Sequence, residues 1–332
     1  MDSRIYSNKM IKNMKSYLLT DETHKYITYP KFVFLCGKAF SPPETYENTN
    51  RGIADKYLTT KSKDIFIVLS EKLWEDSFNS NIDLLTFEEF LAEVSDVIVL
   101  FVESPGSFCE LGAFSYAEKL FSDKLIIVID EKYKGNKSFI ITGPTAKAEK
   151  DGAKIIYAPL NGTGLLSSAD LRRVFDERIK EFSSKNTKVN KRIINHTEEK
   201  ITLNSFIIEL LELIKILQPI SRKDLIEVYK TVKEFTAFKF VKSDGNDFHN
   251  EIKYDYIIKL LETVGLITLT ADVISTDKYG KAQSLMFDYP KKSESRVAKT
   301  TLLNFMHTTP QPYPYNTPPE LSIVLYTHRP CR

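Results

Sequence analysis

Residues 93–113 read EVSDVIVLFVESPGSFCELGA. Val97 to Val102 is an unbroken apolar run rich in β-branched residues, the pattern of a strand buried on both faces. An acid, Asp96, opens the strand. It ends in the turn Glu103-Ser104-Pro105-Gly106-Ser107, and a helix is expected from Phe108 to Phe121. Strand, turn and helix in this order are half of a β-α-β unit, so the sheet is expected to be parallel and covered by helices.

Both flanks repeat the pattern. Upstream, KFVFLC (Lys31 to Cys36) ends at Gly37, and IFIVL (Ile65 to Leu69) is followed by Glu71. Helical spacing links Tyr46, Ile53, Tyr57 and Leu58, and again Phe87, Phe90, Leu91 and Val94. Downstream, LIIVI (Leu125 to Ile129) and Lys154 to Ala158 complete five candidate strands. In sheets of this kind ligands bind beyond the carboxyl ends of the strands. The positions to inspect are those after Cys36, Leu69, Val102 and Ile129.

The chain has 332 residues, 46 Lys and Arg against 44 Asp and Glu, and a formal charge of +2. Its length suggests two compact units, and its near-neutral balance argues against a surface built throughout for nucleic acid. Cys36, Cys109 and Cys331 form neither a disulfide framework nor a metal knuckle, which points to a reducing cytoplasm. There is no apolar run of membrane-spanning length and no signal-peptide core. The five histidines have no metal-ligand spacing, and no Walker loop, G-x-G-x-x-G or G-x-S-x-G motif is found.

A second unit is expected after residue 200. Leu203, Phe206, Ile207, Leu210, Leu211, Ile214 and Leu217 form one apolar helical stripe. Ser221 is the expected N-cap of a second helix, a third carries Tyr254, Ile257, Ile258 and Leu261 up to Gly265, and LITLTADVIST reads as a hairpin. Three helices and a hairpin match a winged helix-turn-helix, a pattern that small helical bundles share. The third helix mixes Lys253 and Lys259 with Glu251, Asp255 and Glu262, which favours protein contact over a DNA groove. Arg178 to Arg192 holds six basic residues against one Glu, either a solvated linker or a phosphate contact. The segment from Thr308 carries six of the fourteen prolines and reads as an extended strap.

Two readings of Glu110 stand open. Ser107-Phe108-Cys109-Glu110 fits the capping box S-x-x-E, in which the Glu only satisfies a backbone N–H. If Ser104-Pro105 starts the helix instead, Glu110 lies almost two turns inside it and is free for chemistry. An ionised carboxylate at the sheet's carboxyl edge can stabilise or attack a sugar carbon that develops cationic character. Glu71 reads as a loop acid or a site acid, Gly37 as a turn glycine or a ligand-approach site, Trp74 as core or a stacking platform. Cys36 reads as a buried small hydrophobe.

Four runs, FLCG, DIFIVLSEKLWED, LLTFEEFLAEVSDVIVLFVESPGSFCELGAF and KLIIVIDEKYKGNKSFIITGP, resemble the effector proteins of bacterial retrons. The resemblance is to the branch that joins a nucleoside 2-deoxyribosyltransferase-like domain to a winged-helix region. It is close over residues 31–145. It implies a Rossmann-like α/β domain at 31–165 after an extension at 1–30, a helix and basic linker at 166–200, an α+β winged-helix domain at 201–300, and a Pro-rich tail at 301–332.

The resemblance also implies an anti-phage toxin that cleaves N-glycosidic bonds, with NAD as substrate and neither cofactor nor metal. Its implied partners are a reverse transcriptase, msDNA (RNA-linked single-stranded DNA) and further copies of itself. Glu110 is the implied nucleophile and Asp96 a second catalytic acid. Leu35, Cys36 and Gly37 imply backbone contacts to substrate; Ser104, Gly106 and Ser107 a ribose or phosphate pocket; Ser138 a contact from the other side. Glu71 and Glu103 are further binding candidates. Nicotinamide leaves NAD without needing a proton, whereas a neutral base needs a general acid. ESPGSFCELGAF holds neither a His nor an obvious second acid beside Glu110, which favours NAD. The alternatives are a nucleotide or deoxynucleotide N-glycosidase or transferase, and a winged-helix DNA-binding regulator without catalysis.

Overall fold

The computed structural model describes residues 30–40, 44–77, 82–117, 121–183, 200–248 and 251–276. The expected N-terminal extension, most of the basic linker, the Pro-rich tail and all five histidines lie outside the described residues. Five strands, β1 (Lys31–Cys36), β2 (Ile65–Val68), β3 (Val97–Val102), β4 (Leu125–Asp130) and β5 (Lys154–Ala158), form one parallel sheet in the order β2-β1-β3-β4-β5. The order reverses between β1 and β3, and a sheet of this topology opens its binding crevice there.

Each strand splits its apolar side chains between two layers. Phe34 and Cys36 of β1, Leu100 and Val102 of β3, and Ile127 of β4 face one side. Val33, Leu35, Val99, Phe101 and Val128 face the other. Helices α1 (Asn50–Lys61) and α6 (Ala169–Ser183) cover the second side, where Leu58, Leu171 and Phe175 are buried. On the first side lie α2 (Ser70–Ser77), α3 (Leu84–Val94), α4 (Pro105–Tyr116) and α5 (Ala146–Asp151). Burial on both faces is why the strands read as continuous apolar runs and not as alternating ones.

Several boundaries differ from expectation for local reasons. The expected helix from Tyr46 is a 3-10 turn (Tyr46–Asn48) followed by α1, because the Thr49 hydroxyl caps a new helix by accepting from Gly52 N. Glu71 is in the first turn of α2, not in a loop. Helix α4 starts three residues before the expected Phe108. Ser104 is its N-cap and Pro105 its first residue, a position that needs no N–H.

The second unit contains α7 (Leu203–Leu217), α8 (Arg222–Lys233) and α9 (Tyr254–Thr263). Strand β7 (Ile220–Ser221) joins the hairpin β9 (Thr268–Thr270) and β10 (Val273–Ser275) in a three-stranded antiparallel sheet, order β7-β10-β9. Strands β6 (Lys200–Thr202) and β8 (Lys239–Val241) pair separately in parallel. The apolar stripe of α7 is buried from Leu203 to Leu217. This unit packs on the first side of the large sheet, α7 against α3 and α9 against α2. Lys242 Nζ lies 2.7 Å from Glu89 Oε1, and the Ser243 N–H donates to Glu93.

Candidate functional site

The carboxyl edges of β1 and β3 meet at Gly37 and Glu103. The Lys38 N–H donates to Glu103 Oε1 (3.2 Å), and a Cβ at Gly37 would stand 3.0 Å from that oxygen and 3.2 Å from Phe101 Cβ. Glycine is therefore needed here for close approach. Asn50, buried at the start of α1, donates to the other Glu103 oxygen and accepts from Gly162 N (2.9 Å). Glu103, Asn50 and Gly162 line a cleft of about 450 Å³ together with Lys38, Asp130 and Lys132. The cleft falls within the size range of small-molecule sites.

Behind this edge, each of the first four helices contributes one charged side chain to a second cluster: Arg51 from α1, Glu71 from α2, Glu88 from α3 and Glu110 from α4. Arg51 is buried. Its guanidinium lies 2.7 Å from Glu71 Oε1, donates to Glu71 Oε2 (3.0 Å), and donates to the Lys38 carbonyl (2.9 Å). Glu88 is 9% exposed and hydrogen-bonded to Ser70. Glu110 is partly exposed, but its Oε2 is buried and has no hydrogen-bond partner.

Burial and then the charge of Glu88 push the Glu110 carboxyl up to about 8, Arg51 opposing and Glu71 adding. Burial pushes Glu88 up to about 7. A carboxyl that loses water without gaining a cation or donors keeps its proton. Cys36 is buried beside the cluster; burial and the charges of Glu110 and Glu88 raise its thiol well above the ordinary range, so it is no thiolate nucleophile.

The capping question resolves in favour of a free Glu110. Ser104 and Ser107 cap α4 between themselves: Ser104 Oγ accepts from Ser107 N (3.2 Å), and Ser107 Oγ accepts from Ser104 N and Glu103 N (both 2.9 Å). Glu110 stands in the second turn, beyond the cap. The same bonds alter the expected roles of the two serines. Ser107 is fully buried and its hydroxyl is consumed by the turn, so it does not line a pocket.

Asp96 is at the amino end of β3, seven residues from Glu103 and about 23 Å of strand away at ~3.3 Å per residue. Its carboxylate accepts from Phe32 N (3.0 Å) and pairs with Lys31 (3.5 Å), which ties β3 to β1. The side chain of Leu35 is packed in the core on the α1 side. Gly106 is exposed in the first turn of α4. Ser138 is exposed, and its bonds are local: its N–H donates to Asn136 and its carbonyl accepts from Ile141 and Thr142. Of the expected residues the structure thus places Glu103 at the cleft with Gly37 against it, and Cys36, Glu71 and Glu110 in the cluster. Trp74 packs on Phe87 with ring centroids 5.4 Å apart, on the core side.

Sequence reasoning missed Asn50, Arg51 and Glu88. Arg51 carries no motif; it is recognisable only once α1 is docked on the sheet. Glu88 did leave a signal, since it is in helical register with the apolar Leu91 and Ala92, an uncommon place for a solvated acid.

The family model described as "STM3845 retron effector protein" matches residues 47–269, about two thirds of the chain. The chain belongs to this retron effector family. The match takes in the whole charged cluster and most of the second unit. Two Escherichia coli proteins are similar to this retron effector. One, named "Retron Ec86 putative ribosyltransferase/DNA-binding protein", is 36% identical over 149 residues, 44% of either chain. The other, named "Retron Ec73 putative ribosyltransferase/DNA-binding protein", is 31% identical over 175 residues, 51% of this chain and 55% of the relative. The effector thus spans about half the length of the curated relatives it matches.

Proposed function

We propose that this retron effector is an anti-phage toxin that hydrolyses NAD to nicotinamide and ADP-ribose, held with a reverse transcriptase and msDNA until infection releases or activates it. The observation that carries the reading is the placement of Glu110. It stands free of the helix cap, at the carboxyl edge of the sheet, in a cluster whose arginine is already committed to Glu71. The C1′–N bond breaks and its electron pair neutralises the nicotinamide nitrogen. The ionised Glu110 stabilises or captures the cationic C1′, and water then supplies the hydroxyl and releases a proton. The positive charge of the nicotinamide ring in bound NAD favours the ionised Glu110 that this step needs. The domain at 31–165 does the chemistry, in the cytoplasm, without metal or cofactor.

Incubation of the purified, triggered complex with NAD tests this, nicotinamide release being followed by chromatography. An active complex that leaves NAD intact overturns it.

A second reading, cleavage or transfer on a nucleotide or deoxynucleotide, gains from Glu88. The fold adds to Glu110 a second acid from another helix, and burial raises the proton affinity of both carboxyls. A neutral leaving base could draw a proton from such an acid. Base release from a nucleotide panel with NAD untouched would select this reading.

For the unit at 201–300, three helices with the sheet order β7-β10-β9 support a winged-helix reading. Its charges favour docking on protein or on a structured assembly over reading duplex DNA. Lys259 pairs with Glu262, and Arg222 with Asp255 and Asp272. Strong duplex binding by the full chain, falling steeply with salt, would favour the DNA-binding regulator instead.

A further inference from the structure

We propose that the cleft of about 450 Å³ beside Glu103 is the subsite for the second nucleoside of a dinucleotide, and that Phe108 and Tyr133 hold its base. The inference rests on the reading of Glu110 as the group at the reacting sugar. It deepens that reading by naming the residues that tell a dinucleotide from a single nucleotide.

Helix α4 stands between the two places. Phe108 lines the cleft, whereas Glu110 belongs to the charged cluster with Arg51, Glu71 and Glu88. Residues two apart on a helix are separated by about 200° around its axis, so these two side chains leave α4 on different sides. The cleft and the cluster nevertheless adjoin. Lys38 and Asn50 line the cleft, and Arg51, the next residue, donates to the Lys38 carbonyl at 2.9 Å. A single nucleoside in the cleft leaves Glu110 idle, and one at Glu110 leaves the cleft unfilled. Two nucleosides joined by a flexible diphosphate reach both.

The charges of the cleft select what enters it. Lys38 pairs with Glu44 at 3.2 Å, and Lys132 with Asp130 at 2.8 Å. The third acid, Glu103, accepts from the Lys38 N–H and from Asn50. Neither lysine is left over for a phosphate, so the cleft suits an uncharged base and its sugar. Each Glu103 oxygen accepts one of these bonds and keeps capacity for a sugar hydroxyl.

Local structure presents the two rings. Ser104 and Ser107 cap α4 and fix Phe108 at the end of its first turn. The Asp130 carboxylate accepts from Lys132 N (3.1 Å) and fixes the 3-10 turn Glu131–Tyr133. These two turns follow β3 and β4, which are neighbours in the sheet. Phe108 is 39% exposed and Tyr133 40%. Lys132 Nζ lies 5.0 Å from the Tyr133 centroid on one face, which leaves the other for a base. Large rings exposed at a concave site are stacking surfaces for a flat ligand ring.

The test is binding of adenosine, and turnover of NAD, by the full-length protein in its purified, triggered complex. Adenosine should bind the wild type. Phe108→Ala and Tyr133→Ala should each weaken that binding about 5- to 150-fold, the usual yield of one base–ring contact. Tyr133→Phe should keep it, because the ring remains. Glu110→Gln should keep it as well, because Glu110 is on the other side of α4. Wild type should prefer NAD to nicotinamide mononucleotide in kcat/KM, and the two alanine variants should lose most of that preference. In them the KM for NAD should rise more than kcat falls. No adenosine binding at millimolar concentration, equal binding by wild type and the alanine variants, or its loss in Glu110→Gln overturns the proposal. The rings are on separate turns, so a folding failure of one variant leaves the other to decide. If NAD is not turned over but adenosine binding depends on the rings, the base-binding role stands and the substrate reading fails. If NAD is turned over and the rings change neither adenosine binding nor KM, the subsite fails alone.

Discussion

Arg51 and Glu71 join α1 to α2 through a two-pronged ion pair, 2.7 and 3.0 Å, with the arginine side chain 3% exposed. The same guanidinium holds the Lys38 carbonyl beside the cleft. One buried cation thus ties the loop after β1 to the helix after β2. Replacing it strands a carboxylate and a carbonyl together. Arg51→Met should cost about 3–5 kcal/mol in urea unfolding, the range for breaking a buried pair. Arg51→Lys should recover only part of that, because an ammonium cannot reproduce the planar fork.

Glu110→Gln separates chemistry from folding. Turnover should fall by about 10²–10⁴-fold, whichever nucleotide proves to be the substrate. The variant should fold as well as the parent, because the lost charge is one that the cluster does not neutralise. Full activity in a folded Glu110→Gln protein would remove the residue from the mechanism.

The raised carboxyls predict how stability depends on pH. A carboxyl whose affinity for protons is higher in the folded state stabilises the fold while protonated, and that contribution is lost as pH rises through the folded value. Stability should therefore decline between about pH 5 and 8.5 through Glu88 and Glu110. Glu110→Gln should be more stable than wild type by roughly 1–3 kcal/mol at pH 8.5, with the two curves converging below pH 5. Denaturant midpoints across that pH range check the sign.

Asp96 should behave as a structural residue. Its carboxylate accepts the Phe32 N–H at the amino edge of the sheet, far from Glu110. Asp96→Asn should cost about 1 kcal/mol, a typical hydrogen-bond contribution, and leave kcat unchanged. A loss of kcat without loss of stability would restore its expected catalytic role.

Gly37→Ala tests the crevice. The added methyl would crowd Glu103 Oε1 and Phe101 Cβ, which leaves the Lys38–Glu103 bond strained or broken. Substrate KM should rise more than kcat falls, because the change is at the cleft and not in the Glu110 cluster. Steady-state kinetics on the folded variant separate the two.

The residues alone determined the layered α/β architecture. Parallel strands buried on both faces must be continuous apolar runs, and VIVLFV and LIIVI are legible as such without any tertiary information. Periodicity likewise exposed α3 and α7, and the block from Glu93 to Ala113 pointed to Glu110. Only the tertiary structure decided the rest, because side-chain charge acts through space and not along the chain. It chose Ser104 over Ser107 as the cap of α4, and so left Glu110 free. The start of β3 at Asp96 was legible in the sequence, but only the fold showed its carboxylate engaged by the Phe32 N–H and Lys31. The fold also brought Arg51, Glu71, Glu88 and Glu110, one from each of four helices, into a single cluster. Such a cluster writes no motif in a sequence, because each helix supplies one residue and the proton affinity of Glu110 depends on the other three.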